Sequence, residues 1–248
     1  MSALFSWERF ASAFPKVMQN FPVTIEMIVI AESLGIVLGG MIAIIRIYKI
    51  PVLNQFYSIY ISFMRGTPIM VQLLVVFYAL PQFVQGVFGI DINNWQKLIF
   101  ASITLALNES AMLAEIFRSA IVSIPSLQYE AGYSVGMTWW QTFRRIILVQ
   151  AIRIALPSYG SNLVTLIQST SLAYMIGVID LMGRADAIGT STRHSFEPYV
   201  CVTIIYVIFS LAVRGIFRIL SGRLRYENNY SKTVAGSKEL ERKEEAVA

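Results

Sequence analysis

The chain has 248 residues, 56% hydrophobic and only 14% charged, with a mean hydropathy of +0.60; ordinary soluble domains carry about 25% charged residues. That balance excludes a soluble protein built around one core and predicts an all-α, multi-pass membrane protein. One cysteine, Cys201, and one histidine, His194, exclude an internal disulfide and cysteine- or histidine-rich metal sites, and the net charge of +5 is read as loops facing anionic headgroups, not nucleic acid.

The first apolar run is Phe21 to Ile45. Lys16 precedes it, as in a signal peptide, but the run is too long for an h-region and is followed by Arg46 and Lys49 without a small-residue cleavage site. It is therefore expected as a retained transmembrane helix. Ala31, Gly35, Gly39 and Ala43 recur every four residues, a stripe that lets another helix approach closely. Glu26 and Glu32 lie in or near the same span, where acidic groups face protein or water.

The second segment, Val52 to Pro81, is broken at Arg65-Gly66-Thr67-Pro68, because proline removes a backbone donor and disfavours helix at the residue before it. Arg65 and Thr67 either reach the headgroups at this break or line a pathway or hinge. Residues 82–96 are expected as a turn-rich loop. The third segment is Lys97 to Ile121. Asn108, Glu115 and Ser119 share one face by spacing, and Ser102 and Glu109 another. Arg118, three residues after Glu115, is its natural partner. Glu109 has no such neighbour and is the better candidate for a polar group facing a cavity.

The fourth segment runs from Ile154 to Ile179, with Pro157 expected in its first turn. Ser158, Ser161, Asn162, Thr165, Gln168 and Ser169 fall on one face, too polar for lipid, which either packs on another helix or lines a wet path. Residues 180–197 are expected as a polar loop and Pro198 to Leu220 as the last span. Five spans place the two ends on opposite sides. With the amino terminus outside, the stretches 46–65, 118–153 and 214–248 are cytoplasmic and hold fifteen of the 20 lysines and arginines, as the positive-inside rule favours. Residues 1–220 thus form one transmembrane domain, and 221–248 a charged cytoplasmic tail expected to be disordered or marginally helical.

The stretch 130–151, EAGYSVGMTWWQTFRRIILVQA, is the most polar interruption between spans. A turn is predicted over Ser134 to Met137, with Thr138 capping a short helix that begins at Trp139. Trp139 and Trp140 with Arg144 and Arg145 suit either the headgroup boundary or a docking surface for a partner.

Here the sequence resembles a family, the permease subunits of binding-protein-dependent ABC importers. Their cytoplasmic motif has Glu-Ala-Ala, a glycine four residues on, and a later Ile-x-Leu-Pro. Glu130, Ala131, Gly132, Gly136, Ile146 and Leu148 stand at that spacing. Gly132 replaces the second alanine and Val149 the proline. Gly132 is expected to loosen the first short helix, since glycine is about 1 kcal/mol worse than alanine there. Phe63 to Pro68 with Val71-Gln72-Leu73, Ala114 to Arg118, Ser123-Ile124-Pro125, Arg153, Leu156-Pro157, Asn162 and Ser169 to Leu172 narrow the resemblance to the polar amino-acid branch.

The resemblance implies a type I importer-like fold and a division of labour. Two permease subunits, identical or related, would form the pore. Each would press its loop helix onto a cytoplasmic ABC ATPase dimer, which would bind the ATP and magnesium; this chain would bind no cofactor and would not itself be the enzyme. A solute-binding protein would deliver an amino acid to the outer face of a bacterial cytoplasmic membrane, and Asp180-Leu181-Met182-Gly183 resembles cystine and related sulfur amino-acid systems. On this reading Glu130, Ala131, Gly132, Gly136, Ile146 and Leu148 are the coupling residues. Arg65, Thr67, Glu109, Asn162, Thr165, Gln168 and Ser169 are the candidate translocation pathway. The alternative is an ion-coupled secondary transporter or a channel, which intramembrane Glu26, Glu32, Glu109 and Glu115 would suit. It leaves the 130–151 stretch unexplained, and no internal repeat supports it.

Overall fold

The computed structural model describes residues 5–224, which form helices and no strand. Helix α1 (Trp7–Met18) was not anticipated. Phe10, Phe14 and Val17, at helical spacing, pack against the two last helices of the chain. An ion pair of 2.6 Å between Arg9 and the buried Glu197 fastens it there. The backbone N–H of Ser6 donates to the same carboxylate at 2.9 Å.

Helix α2 (Phe21–Ile47) is 27 residues long, so it spans about 40 Å and crosses a hydrocarbon core of about 30 Å with length to spare. Its small-residue stripe is buried as expected: Ala31, Gly35, Gly39 and Ala43 all face α5 (Lys97–Val122) or the groove beside it. A Cβ on Gly39 would lie 2.9 Å from both the Ser110 carbonyl oxygen and Leu113 Cβ. In lipid there is no hydrophobic drive between helices, so this close van der Waals packing is what joins α2 to α5.

The second segment is broken where expected but runs further than expected. It is two helices, α3 (Leu53–Gly66) and α4 (Ile69–Phe88), parted at Thr67-Pro68. The α4 helix does not stop at Pro81. Phe83, Val84, Val87 and Phe88 continue its apolar pattern, and Gly89 ends it at φ +71°, so most of the loop expected over 82–96 begins only there. Leu73, Phe100, Leu105, Leu166 and Ile167 fill the main core between α4, α5 and the fourth span.

After α5 come α6 (Leu127–Ser134), the single turn α7 (Trp139–Thr142), a π-turn (Phe143–Ile147) and α8 (Leu148–Thr170). The helical path is unbroken from Trp139, so Pro157 is interior to α8 and not in a first turn. A 3₁₀ stretch (Ser171–Ile176) and Gly177 at φ +82° bend the chain into α9 (Leu181–Thr192), where a loop was expected. Asp180 explains the difference: its side chain accepts the Gly183 N–H at 2.9 Å and caps α9. The last helix is α10 (Phe196–Leu224); the tail beyond it lies outside the described residues. Helices α2, α4, α5 and α10 are each long and apolar enough to cross a membrane, and the path from Trp139 to Thr192, bent by 46°, is a fifth candidate when the bent pair is taken as one span.

Candidate functional site

The stretch 122–153 is a structured unit. Helix α6 ends in a pair of bonds that fix its exit: Gly136 N–H to the Tyr133 carbonyl at 2.9 Å and Met137 N–H to the Gly132 carbonyl at 3.1 Å. This requires Gly136 in the left-handed region, at φ +78°, and the space around it is open. Glycine is needed there for backbone freedom and not for room. Thr138 then starts the next helix through a reciprocal capping box. Its Oγ1 accepts the Gln141 N–H at 3.3 Å, and Gln141 Oε1 accepts the Thr138 N–H at 2.9 Å. The predicted turn and cap are therefore both present.

Gly132 has a different cause from the one expected. It faces the buried Thr142, whose Cγ2 and Oγ1 would each stand 2.6 Å from a Cβ added there. The glycine lets α7 fold back onto α6; it tightens the pair where loosening was expected. Glu130 and Ala131 are exposed on α6. Ile146 packs with Ala120, Ile124, Tyr129, Ile147 and Ala151, where the loop meets the end of α5, while Leu148 stays more than a third exposed. Burial in this cluster pushes the Tyr129 hydroxyl above the usual phenol range. The result is a rigidly capped two-helix projection with one acidic residue, Glu130, on its outer surface.

The pathway candidates separate into two groups. Glu109 is buried, packs its Cβ and Cγ onto Gly35 of α2, and accepts a hydrogen bond from Asn162 Nδ2 on α8. Glu32 and Tyr159 complete this polar junction of α2, α5 and α8. Neither Glu32 oxygen reaches a partner at strict hydrogen-bond geometry, so its tie to Glu109 and Tyr159 is electrostatic proximity. Thr165 and Gln168 are exposed on α8 and Ser169 is half-buried beside them. Ser169 Oγ donates back to the Thr165 carbonyl at 2.8 Å, and Thr165 Oγ1 to that of Ser161 at 3.3 Å.

Arg65 and Thr67 belong to the break between α3 and α4. Thr67 Oγ1 donates to the Phe63 carbonyl at 2.8 Å. The buried Gln72 amide donates to the Met64 carbonyl at 2.9 Å and to Thr67 Oγ1 at 2.8 Å, while Asn108 Nδ2 donates to Gln72 Oε1 at 3.0 Å. Sequence reasoning missed Gln72 as the residue that satisfies this break; proline at 68 signalled the break, and the only polar residue of the following turn was its available partner. Arg65 is exposed. It stands within electrostatic reach of Glu115, which forms the expected pair with Arg118 and a further one of 2.7 Å with Arg46 of α2.

Four to five candidate membrane-crossing helices, with a capped helical projection between α5 and α8, define a multi-pass helical membrane protein. The family of binding-protein-dependent transport system inner membrane components matches residues 35–226, and the chain belongs to it. It is 38% identical over 234 residues to the L-cystine transport system permease protein TcyL of Bacillus subtilis strain 168, covering 94% of this chain and 98% of that one. It is 30% identical over 219 residues to the glutamate/aspartate import permease protein GltK of Escherichia coli, covering 88% and 98%. Among solved structures it resembles an amino acid ABC transporter crystallised with histidines, with a TM-score of 0.78, 30% identity, and coverage of 88% of this chain and 99% of that one. Likeness to an inward-facing MetNI methionine transporter, at 17% identity and a TM-score of 0.67, supports the fold.

Proposed function

We propose that this chain is the pore-forming subunit of an ATP-driven importer for a polar amino acid. Two copies, or one copy and a related permease, enclose the pathway in a bacterial cytoplasmic membrane. The amino terminus is outside and the 122–153 unit is in the cytoplasm, as the charge distribution favours. The observation that carries the reading is the capped α6–α7 projection. Its backbone is held by paired bonds at Gly136 and by the capping box at Thr138, so force applied at Glu130 is passed to α5 and α8 without being absorbed by a soft loop.

Glu130 and Ala131, exposed on α6, meet a separate ATPase dimer, which handles ATP and magnesium; Gly132, Gly136, Ile146 and Leu148 shape the coupling unit that presents them, and an external binding protein supplies the solute. Asn162, Thr165, Gln168 and Ser169 of α8, with Glu109 behind them, line the path, and Arg65 and Thr67 border it at the α3–α4 break. The similarity to TcyL supports cystine as the first solute to test. The test is uptake of labelled amino acids into vesicles holding this chain, its genetic neighbours for the ATPase and the binding protein. Uptake that needs ATP and survives a protonophore supports the reading. Uptake that ignores ATP and collapses with the protonophore overturns it in favour of ion coupling.

A further inference from the structure

A cavity of about 440 Å³ opens between α2, α5 and α8 at the end of the bundle that meets the 122–153 unit. Gly40, Ala43, Phe117, Ala120, Leu148 and Ala155 are among its walls, which carry no charged residue. Gly40 meets nothing within 4 Å of where its Cβ would be, so the space is open beside α2. Where Phe143 and Leu148 form the wall, the π-turn carries Arg144 and Arg145, both exposed and in no ion pair among the described residues. Trp139, Trp140 and Phe143 stack on one another, with ring centroids 5.3 Å to 6.1 Å apart. Tyr48, at the end of α2 and next to the exposed Lys49, lies 6.5 Å from Trp139.

We infer that this is a binding site for one anionic phospholipid of the adjacent leaflet, with an acyl chain in the cavity and the headgroup phosphate on Arg144, Arg145 and Lys49. Three features commit the occupant. The cavity is apolar and bounded by membrane-crossing helices, so hydrocarbon is what surrounds it. The cations beside it are unmatched: Glu130 is the sole carboxylate between residues 122 and 153. Stacked indoles beside basic residues are the side chains that settle at headgroup depth. Because Phe143, Leu148 and Ala151 join the cavity to the π-turn, a bound lipid braces the base of the α7–α8 path. Occupancy then ties the stiffness of the projection to the charge of the leaflet. Nothing in this depends on which solute is carried.

The experiment is native mass spectrometry of the full-length chain, purified in mild detergent and offered phosphatidylglycerol or phosphatidylethanolamine of equal chain length. The wild type should retain one phosphatidylglycerol per chain, in at least five-fold preference to phosphatidylethanolamine. Gly40→Leu adds its Cβ in open space and its side chain takes up cavity volume, and it should lower retention of both lipids about ten-fold. Arg144→Gln with Arg145→Gln should abolish the preference for the anionic lipid while leaving some retention of either. Equal retention by Gly40→Leu and wild type overturns the site. Retention of neither lipid by a wild-type dimer, with lipid bound only to monomer, also overturns it by assigning the cavity to the second copy.

Discussion

Replacing Gly132 by alanine should weaken the α6–α7 unit even though alanine is the better helix former by about 1 kcal/mol. The new Cβ would stand 2.6 Å from both Cγ2 and Oγ1 of Thr142 and 3.1 Å from its Cβ. Thr142 is fully buried and its hydroxyl donates to the Thr138 carbonyl at 3.1 Å, so it has no free rotamer into which to retreat. Overpacking of this kind costs about 1–3 kcal/mol, which leaves a net loss of about 1 kcal/mol after the propensity gain. Hydrogen exchange of the amides from Leu127 to Thr142, in the full chain in nanodiscs, reads that loss as roughly five-fold faster local opening. Combining Gly132→Ala with Thr142→Ala removes both clashing atoms. The pair should then show a favourable coupling of about 2 kcal/mol against the sum of the single changes, the size of the clash removed. Slower exchange for Gly132→Ala in the Thr142 background, or a double variant no better than the single, refutes the packing account.

Gly136 separates conformation from space. Gly136→Val should disable the turn and transport, while Gly136→Asn, which tolerates the left-handed region, should retain most of both; equal uptake by the two variants contradicts the role of φ +78°. On the proposed coupling role, Glu130→Lys should abolish ATP-dependent uptake while the chain still inserts, as read by vesicle uptake and membrane fractionation. Gly39→Leu should lower thermal stability in detergent by at least about 1–3 kcal/mol, because its side chain meets the backbone of α5 and not a flexible tip. Glu115→Ala should leave Arg46 and Arg118 without their common partner; both are partly exposed, so a modest loss of about 1 kcal/mol is expected in the same melt.

The parts legible in the sequence were those fixed by short-range rules. The small-residue stripe of α2, the Pro68 break, the Glu115–Arg118 pair and the Thr138 cap each depend on residues within a few positions of one another, and all four are present. What was missed depends on distant partners. Helix α1 is stabilised by Glu197, 188 residues from Arg9, and α9 is held against α1 and α10, so neither stood out as a helix. The reason for Gly132 was hidden for the same cause, since Thr142 reaches it only after the chain turns at Gly136. Of the site, the resemblance placed the candidate coupling residues in one run. It did not show that Glu109 and Asn162 meet across helices while Thr67 belongs to a separate network.

The tie at the α3–α4 break has a mechanical consequence. Tyr60 of α3 donates to the Leu107 carbonyl of α5 at 2.7 Å, and Asn108 of α5 donates to the Met64 carbonyl of α3 at 3.2 Å. These bonds staple α3 to the middle of α5, and α5 runs on to the projection at α6. A displacement of α5 therefore carries α3 with it as one beam. Gln72, in the first turn of α4, is bonded into the same network, so the start of α4 is held to this beam across the Pro68 break.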